Sequence, residues 1–187
     1  MSRALIVVIA IVAIIGLVGM YFVGIYNGMV TMSENVDAQW AVVESKLQRR
    51  YDLIPNLVNS VKGIMSQEKE VFKNIADARA KLAGAATTSE EVAASSELEG
   101  ALSRLLVVME NYPELRSVES VNNLMDELAG TENRISVERD RYNGVVREYN
   151  SSIKRFPRSI LAGMFGFAAK PYFEATEGAE TAPEVQL

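Results

Sequence analysis

From Val36 onward the apolar side chains alternate at spacings of three and four. Val36, Trp40, Val43, Leu47, Arg50, Ile54, Leu57, Val61, Ile64, Glu68, Val71, Ile75, Ala78 and Leu82 make 14 consecutive seam positions, and only Arg50 and Glu68 among them are not apolar. A period of 3.5 sustained for nearly seven heptads predicts a long helix packed along one stripe, with the intervening Gln, Lys, Arg, Glu and Asn in water. Pro55 lies inside the pattern, so a helix over 34–84 is expected to kink near Asp52 rather than stop. Gly84 to Ser89 reads as a turn, and Thr88 with Glu91 as a capping box that opens the next helix. A second seam, Leu98, Leu102, Leu105, Met109 and Tyr112, ends at Pro113, which opens the following element. A third runs through Val118, Val121, Met125, Leu128, Glu132, Ile135, Arg139, Tyr142, Val146, Tyr149, Ile153 and Phe156. No strand-like alternation of useful length appears, so the fold class is all-α.

Helix lengths pose a topological question. Residues 34–84 would extend roughly 75 Å, 88–111 about 36 Å and 113–157 about 67 Å at 1.5 Å per residue. The body is either three long helices or an antiparallel up-and-down bundle of four. The second requires a fold-back near Gly130-Thr131 or nearer Ser117 to Ser120. The unbroken seam across Gly130 argues against the first location.

Ahead of the seam, residues 4–33 carry no charged side chain, and Ala4 to Tyr26 is an apolar and glycine run of 23 residues. It would reach roughly 35 Å as a helix, enough for a hydrocarbon core of about 30 Å, and is too long for a signal-peptide hydrophobic region. Tyr21 and Tyr26 suit the interface, where a ring is half buried and its hydroxyl stays wet. The predicted organisation is a tail and transmembrane anchor at 1–26 and a helical bundle at 27–157. An apolar Gly/Phe contact segment follows at 158–173, then an acidic, disordered tail at 174–187. Arg3 and the α-amino group flank the anchor on one side, and Lys46 is the only base within 20 residues on the other. Counting bases puts the N-terminus in the cytoplasm and the body outside, on the periplasmic face of the bacterial inner membrane.

Composition narrows the chemistry. Among 187 residues there is no histidine and no cysteine. That removes Cys/His zinc sites, thiol nucleophiles, Ser-His-Asp triads and disulfides. No catalytic residue, cofactor or metal site is expected, and the chain reads as a non-enzyme. The net charge of −5 is concentrated in the tail, whose Glu174, Glu177, Glu180 and Glu184 leave 19 bases against 20 acids elsewhere. Such a balance gives no electrostatic case for nucleic acid, and Lys154-Arg155-Phe156-Pro157-Arg158 alone is too short to make one.

The run Arg49-Arg50-Tyr51-Asp52-Leu53-Ile54-Pro55-Asn56-Leu57-Val58 resembles the signature of the LemA family of bacterial single-pass membrane proteins. So do Asn111-Tyr112-Pro113-Glu114-Leu115, Thr131-Glu132 with Arg139, the pairs Tyr142-Asn143 and Tyr149-Asn150, and Phe156-Pro157. The resemblance covers about Tyr26 to Glu174, and Val121-Asn122-Asn123 departs from an aromatic-led run common in the family. It implies an anchor followed by a four-helix up-and-down bundle, and no enzyme activity. It also implies an extracellular N-terminus, opposite to the flanking-charge count.

Two groups of residues are candidates for function. Arg50, Glu68, Glu132 and Arg139 are charges on apolar seams and must pair or reach water. Glu132 and Arg139 are expected to meet opposite charges from the first helix, with Arg50 and Asp52 nearest. Phe165 and Phe167, with Arg158 and Lys170, form a candidate contact for a partner or for the membrane surface. The aromatic stripe of Tyr142, Tyr149 and Phe156 reads as core. The function expected is a membrane-anchored scaffold or interaction protein of the cell envelope. Its partners are the lipid bilayer, a second copy of itself, or a membrane or envelope protein. The alternative is an adaptor or modulator of another membrane complex such as a transporter or protease.

Overall fold

A computed structural model describes residues 3–173. Five α-helices follow one another: α1 (Arg3–Lys62), α2 (Lys69–Gly84), α3 (Thr88–Met109), α4 (Glu119–Lys154) and α5 (Arg158–Phe165), with a 3-10 turn at Pro113–Ser117 before α4. Among the described residues there is no strand, and the all-α class holds. The tail expected at 174–187 lies outside the described residues.

α1 is 60 residues long, about 90 Å at the α-helical rise. Residues 4–24 are exposed on every side of it although nearly all are apolar. A helix that is apolar all round and has no protein covering it fits lipid rather than water, and α1 is long and apolar enough to cross a membrane. No helix boundary marks the end of the apolar run. The same helix passes into the seam, where Val36, Val43, Leu47, Ile54, Leu57 and Val61 are buried.

Three local expectations change. The helix expected over 34–84 is broken at Gly63 to Glu68, while Pro55 sits inside α1 without ending it. Gly63 is a poor helix former, and the amides of Ile64 and Met65 both turn back to the Val61 carbonyl. The turn happens to preserve the 3-4 count, so periodicity runs through it undetected. One phase error betrays it, since Met65 is fully buried and the seam residue Ile64 is exposed. The capping box that opens α3 is one residue earlier than expected, with Thr87 as N-cap and Glu90 closing it. Both Thr-x-x-Glu registers exist in Thr87-Thr88-Ser89-Glu90-Glu91, and spacing alone does not separate them. Finally, Phe156 is not core: α4 ends at Lys154, and the ring beyond it is 81% exposed.

α4 continues through Gly130, so the break between the second and third seams lies at Glu110 to Val118, nearer the Ser117 location. Residues 41–62 of α1 then match the 22 residues of α3 in length.

The described chain divides into two compact units. One holds the residues up to Trp40 and Asn143–Lys170, and the other Ala41–Tyr142 with the residues from Pro171 on. The second unit has a continuous apolar core, in which Ile54, Leu57 and Val61 of α1 join Val71, Ile75 and Ala78 of α2. Leu98, Leu102 and Leu105 of α3 and Val121 and Leu128 of α4 complete it, with Leu115 from the 3-10 turn. Burying each leucine contributes about 1.5–3 kcal/mol. The first unit buries Met29 and Val36 of α1, Val146, Tyr149 and Ile153 of α4, and Leu161 and Ala162 of α5.

Candidate functional site

In the second unit, Arg50 is completely buried. Its Nη1 lies 3.1 Å from Glu132 Oε2 on α4 and 3.9 Å from Glu99 Oε2 on α3. Nη2 donates to the Ser95 carbonyl at 3.2 Å and to the Ser95 hydroxyl. Glu99 also faces Arg139 Nη2, at 3.4 Å. The chain Glu132, Arg50, Glu99, Arg139 thus alternates in sign and draws on three helices. Both carboxylates keep about a third of their side chains in solvent, 36% for Glu132 and 31% for Glu99. That exposure limits the desolvation cost, while the guanidinium between them is fully enclosed. The Arg139 guanidinium also lies 4.8 Å over the ring of the buried Phe173.

The structure brings Arg50 and Glu132 together as the seam pattern suggested, and leaves Asp52 out. Asp52 accepts from Gln48 Nε2 at 2.8 Å on the exposed side of α1. The carboxylate that Arg139 meets is Glu99. Spacing did not single out Glu99 or Ser95. Glu99 follows Leu98 and lies off the apolar seam of α3, while Ser95, three residues before Leu98, continues the seam count as a small polar side chain that an apolar pattern passes over. The fourth seam charge, Glu68, has its own partner: the Tyr112 hydroxyl donates to Glu68 Oε1 at 2.9 Å. That hydrogen bond is the main reason the Tyr112 phenol is raised above its ordinary value of 10.

In the first unit, α5 lies along the part of α1 that follows its exposed apolar run. Arg158, the first residue of α5, places Nη1 4.0 Å from Met32 Sδ and donates to the Ser152 hydroxyl. Phe165, the last, meets the Tyr26 ring edge-on at 4.9 Å. Met32 and Tyr26 are about 9 Å apart along α1, and α5 is about 10 Å long, so α5 descends α1 toward the apolar run. Gly166 ends it in the left-handed conformation, with φ of 75°, and the Phe167 amide caps back to the Ala162 carbonyl at 3.0 Å. The Phe167 ring also contacts Tyr26, at 5.7 Å.

The chain then returns. Tyr149 donates to the Ala168 carbonyl at 3.0 Å, and Lys170 Nζ reaches Asp37 Oδ1 at 2.7 Å. Asn150 holds both polar groups of the Lys170 backbone, each at 2.9 Å. In the other unit, Tyr142 donates to the Pro171 carbonyl at 3.0 Å. Burial is the largest influence on the Tyr149 phenol and raises it, against the opposing pull of Lys170 and a hydrogen bond with Ser33. Tyr142 and Tyr149 are core, as read from the stripe, but their hydroxyls and Asn150 also hold the segment after α5.

Segment 158–173 is therefore partly packed and partly exposed. Leu161, Ala162 and Phe173 are buried, while Ile160, Met164 and Phe165 are exposed. A groove of about 490 Å³ runs between α1 and α5, lined by Phe22, Val23, Tyr26, Ile160, Met164 and Phe165 among others. Of the residues expected at this contact, Phe165 and Phe167 meet Tyr26, Arg158 heads α5, and Lys170 is paired with Asp37. Among the described residues no group of three or more acidic side chains is placed to hold a metal ion.

A family model described as the LemA family matches residues 39–187. The magnetosome proteins MamQ 1 and MamQ 2 of Paramagnetospirillum magneticum are each 29% identical to this chain, over 83% of it and 67% of each relative. Magnetosome protein MamQ of Magnetospirillum gryphiswaldense is 27% identical over the same shares.

Proposed function

The chain belongs to the LemA family, and from that membership and the geometry above we propose that it is a membrane-anchored, non-enzymatic helical scaffold. In this reading α1 crosses the bacterial cytoplasmic membrane once, with the body on the periplasmic face as the flanking bases imply. Residues 41–142 form an antiparallel up-and-down bundle of four helical stretches, which self-associates or docks partners at the membrane. The observation that carries this reading is α1 itself: one helix bears a fully exposed apolar run of membrane length and then the buried seam of the body. The relatives that resemble it are named magnetosome proteins, and with the family membership they support a membrane-associated helical protein.

The size of the detergent-solubilised chain, by light scattering with size-exclusion chromatography, tests this. A discrete particle larger than one chain, or one bound stoichiometrically to a partner, is expected. A monomer that co-purifies substoichiometrically with a transporter or protease complex would favour the adaptor reading instead. A monomer with no partner in membrane extracts would contradict both.

A further inference from the structure

A second cleft opens at the upper end of α5. It measures about 490 Å³ and is lined by Met32, Gly144, Arg147, Glu148, Ser151, Ser152, Arg155 and Arg158. Three arginines thus face it against one glutamate. Among the described residues Arg147 and Arg155 have no ion-pair partner, and both are exposed. Arg158 is held in place by the Ser152 hydroxyl. Arg158 heads the same short helix whose other end, at Met164 and Phe165, lines the apolar groove on α1. Basic and apolar clefts are therefore stacked along α5, with the apolar one nearer the exposed apolar run of α1.

We propose that these two clefts form one site for an anionic phospholipid, its phosphate held by Arg147, Arg155 and Arg158 and an acyl chain in the groove between α1 and α5. The proposal rests on α1 spanning the membrane. That places Phe22 to Tyr26 at the edge of the hydrocarbon and Met32, about 9 Å farther along, at head-group depth. A free anion would need only the upper cleft. The lower cleft is continuous with the lipid-facing surface of α1 and is lined by apolar and aromatic side chains, which suits a chain already in the bilayer. Guanidinium groups bind phosphate oxygens through charge-assisted, often bidentate hydrogen bonds. With three cations against Glu148, a lipid of net negative charge is preferred over a zwitterionic one. Phe156, exposed between Arg155 and Arg158, adds an aromatic ring at the same level.

Native mass spectrometry of the full chain in detergent, with added phosphatidylglycerol or phosphatidylcholine, reads this directly. One phosphatidylglycerol per chain is expected, bound at least about tenfold more tightly than phosphatidylcholine. The double variant Arg147→Gln/Arg155→Gln touches two exposed, unpartnered side chains and is expected to keep its fold. It should lose at least about tenfold in phosphatidylglycerol binding with phosphatidylcholine unchanged. Equal binding of the two lipids, or a double variant that binds as the parent does, would overturn the proposal. Displacement of phosphatidylglycerol by millimolar inorganic phosphate would overturn it too, since the cleft would then be a free-anion site. Carbonate extraction of membranes carrying the parent chain checks the anchor separately. If the chain is released, the spanning reading fails whatever the lipid binding shows.

Discussion

Glu132 on α4 stands 3.1 Å from Arg50 on α1, a guanidinium with no solvent contact of its own. Glu132→Ala leaves that buried cation with Glu99 at 3.9 Å and the Ser95 oxygens, an incomplete shell. The expected cost is about 3 kcal/mol, at the low end for a broken buried pair because Glu132 itself reaches water. Arg139→Ala removes a partly exposed cation from Glu99 and Phe173 and should cost about 1 kcal/mol. Thermal melting by circular dichroism in detergent should therefore rank Glu132→Ala well below Arg139→Ala. Melting of both variants at the parent temperature would contradict the cluster.

Much of this body is legible in the sequence because a helix shows its buried face at fixed intervals. Leu47, Ile54, Leu57, Leu98, Leu105 and Ile135 are all buried where the 3-4 count puts them. That count records which side of a helix is inside, and not whether the helix is continuous, so the turn after Gly63 stayed hidden. The charged seam positions were visible as anomalies, but their partners Ser95 and Glu99 were not. Which neighbouring helix supplies a counter-charge depends on how helices pack, and one helix's period holds no record of it. The hairpin after Pro157 was legible only as composition. Its path follows from Gly166 and from hydrogen bonds to Tyr149 and Asn150 that no spacing rule announces.

Gly166 closes α5 at a φ that favours glycine. Gly166→Ala has open space for its methyl group but places an L side chain in the left-handed region, at a cost of about 1 kcal/mol. The expected result is faster amide exchange in α5 and in Phe167, with the apolar core of residues 41–142 unchanged. Exchange identical to the parent would mean that the reversal does not depend on this residue.

Asn150 grips the Lys170 backbone at both its N–H and its C=O. Asn150→Ala leaves the two groups without their side-chain partners and should destabilise the returning segment by about 1–3 kcal/mol. The Lys170 amide should lose its protection from hydrogen exchange, and cleavage near 166–170 by a protease should quicken. Retained protection would show that this amide is held by something other than Asn150.

Two titrations carry signs that follow from geometry. Tyr112 is raised by its bond to Glu68, so its stabilising contribution is complete below about pH 10 and is lost as pH rises through the raised value. In an absorbance titration at 295 nm it should ionise above its ordinary value of 10, and Tyr112→Phe should remove that late step. Glu90 is lowered, chiefly by the Ala86 amide, with Thr87 adding to the effect. Its contribution is present above the ordinary value of 4.5 and fades as pH falls through the lowered one. Glu90→Gln should melt below the parent at neutral pH, with the difference closing in acid. A difference that grows in acid would reverse the sign and contradict the capping geometry.

The central claim is that α1 crosses the bilayer and carries the body to one face of it. A chain without cysteine permits a direct measurement, by labelling single-cysteine variants with a membrane-impermeant maleimide before and after permeabilisation. Ser103→Cys on the exposed face of α3 should label in intact spheroplasts, Ser2→Cys only after permeabilisation, and Leu17→Cys in neither case. Ready labelling of Leu17→Cys, or labelling of Ser2→Cys and Ser103→Cys from the same side, would contradict a spanning α1. Labelling of Ser2→Cys alone in intact spheroplasts would keep the span and put the body in the cytoplasm.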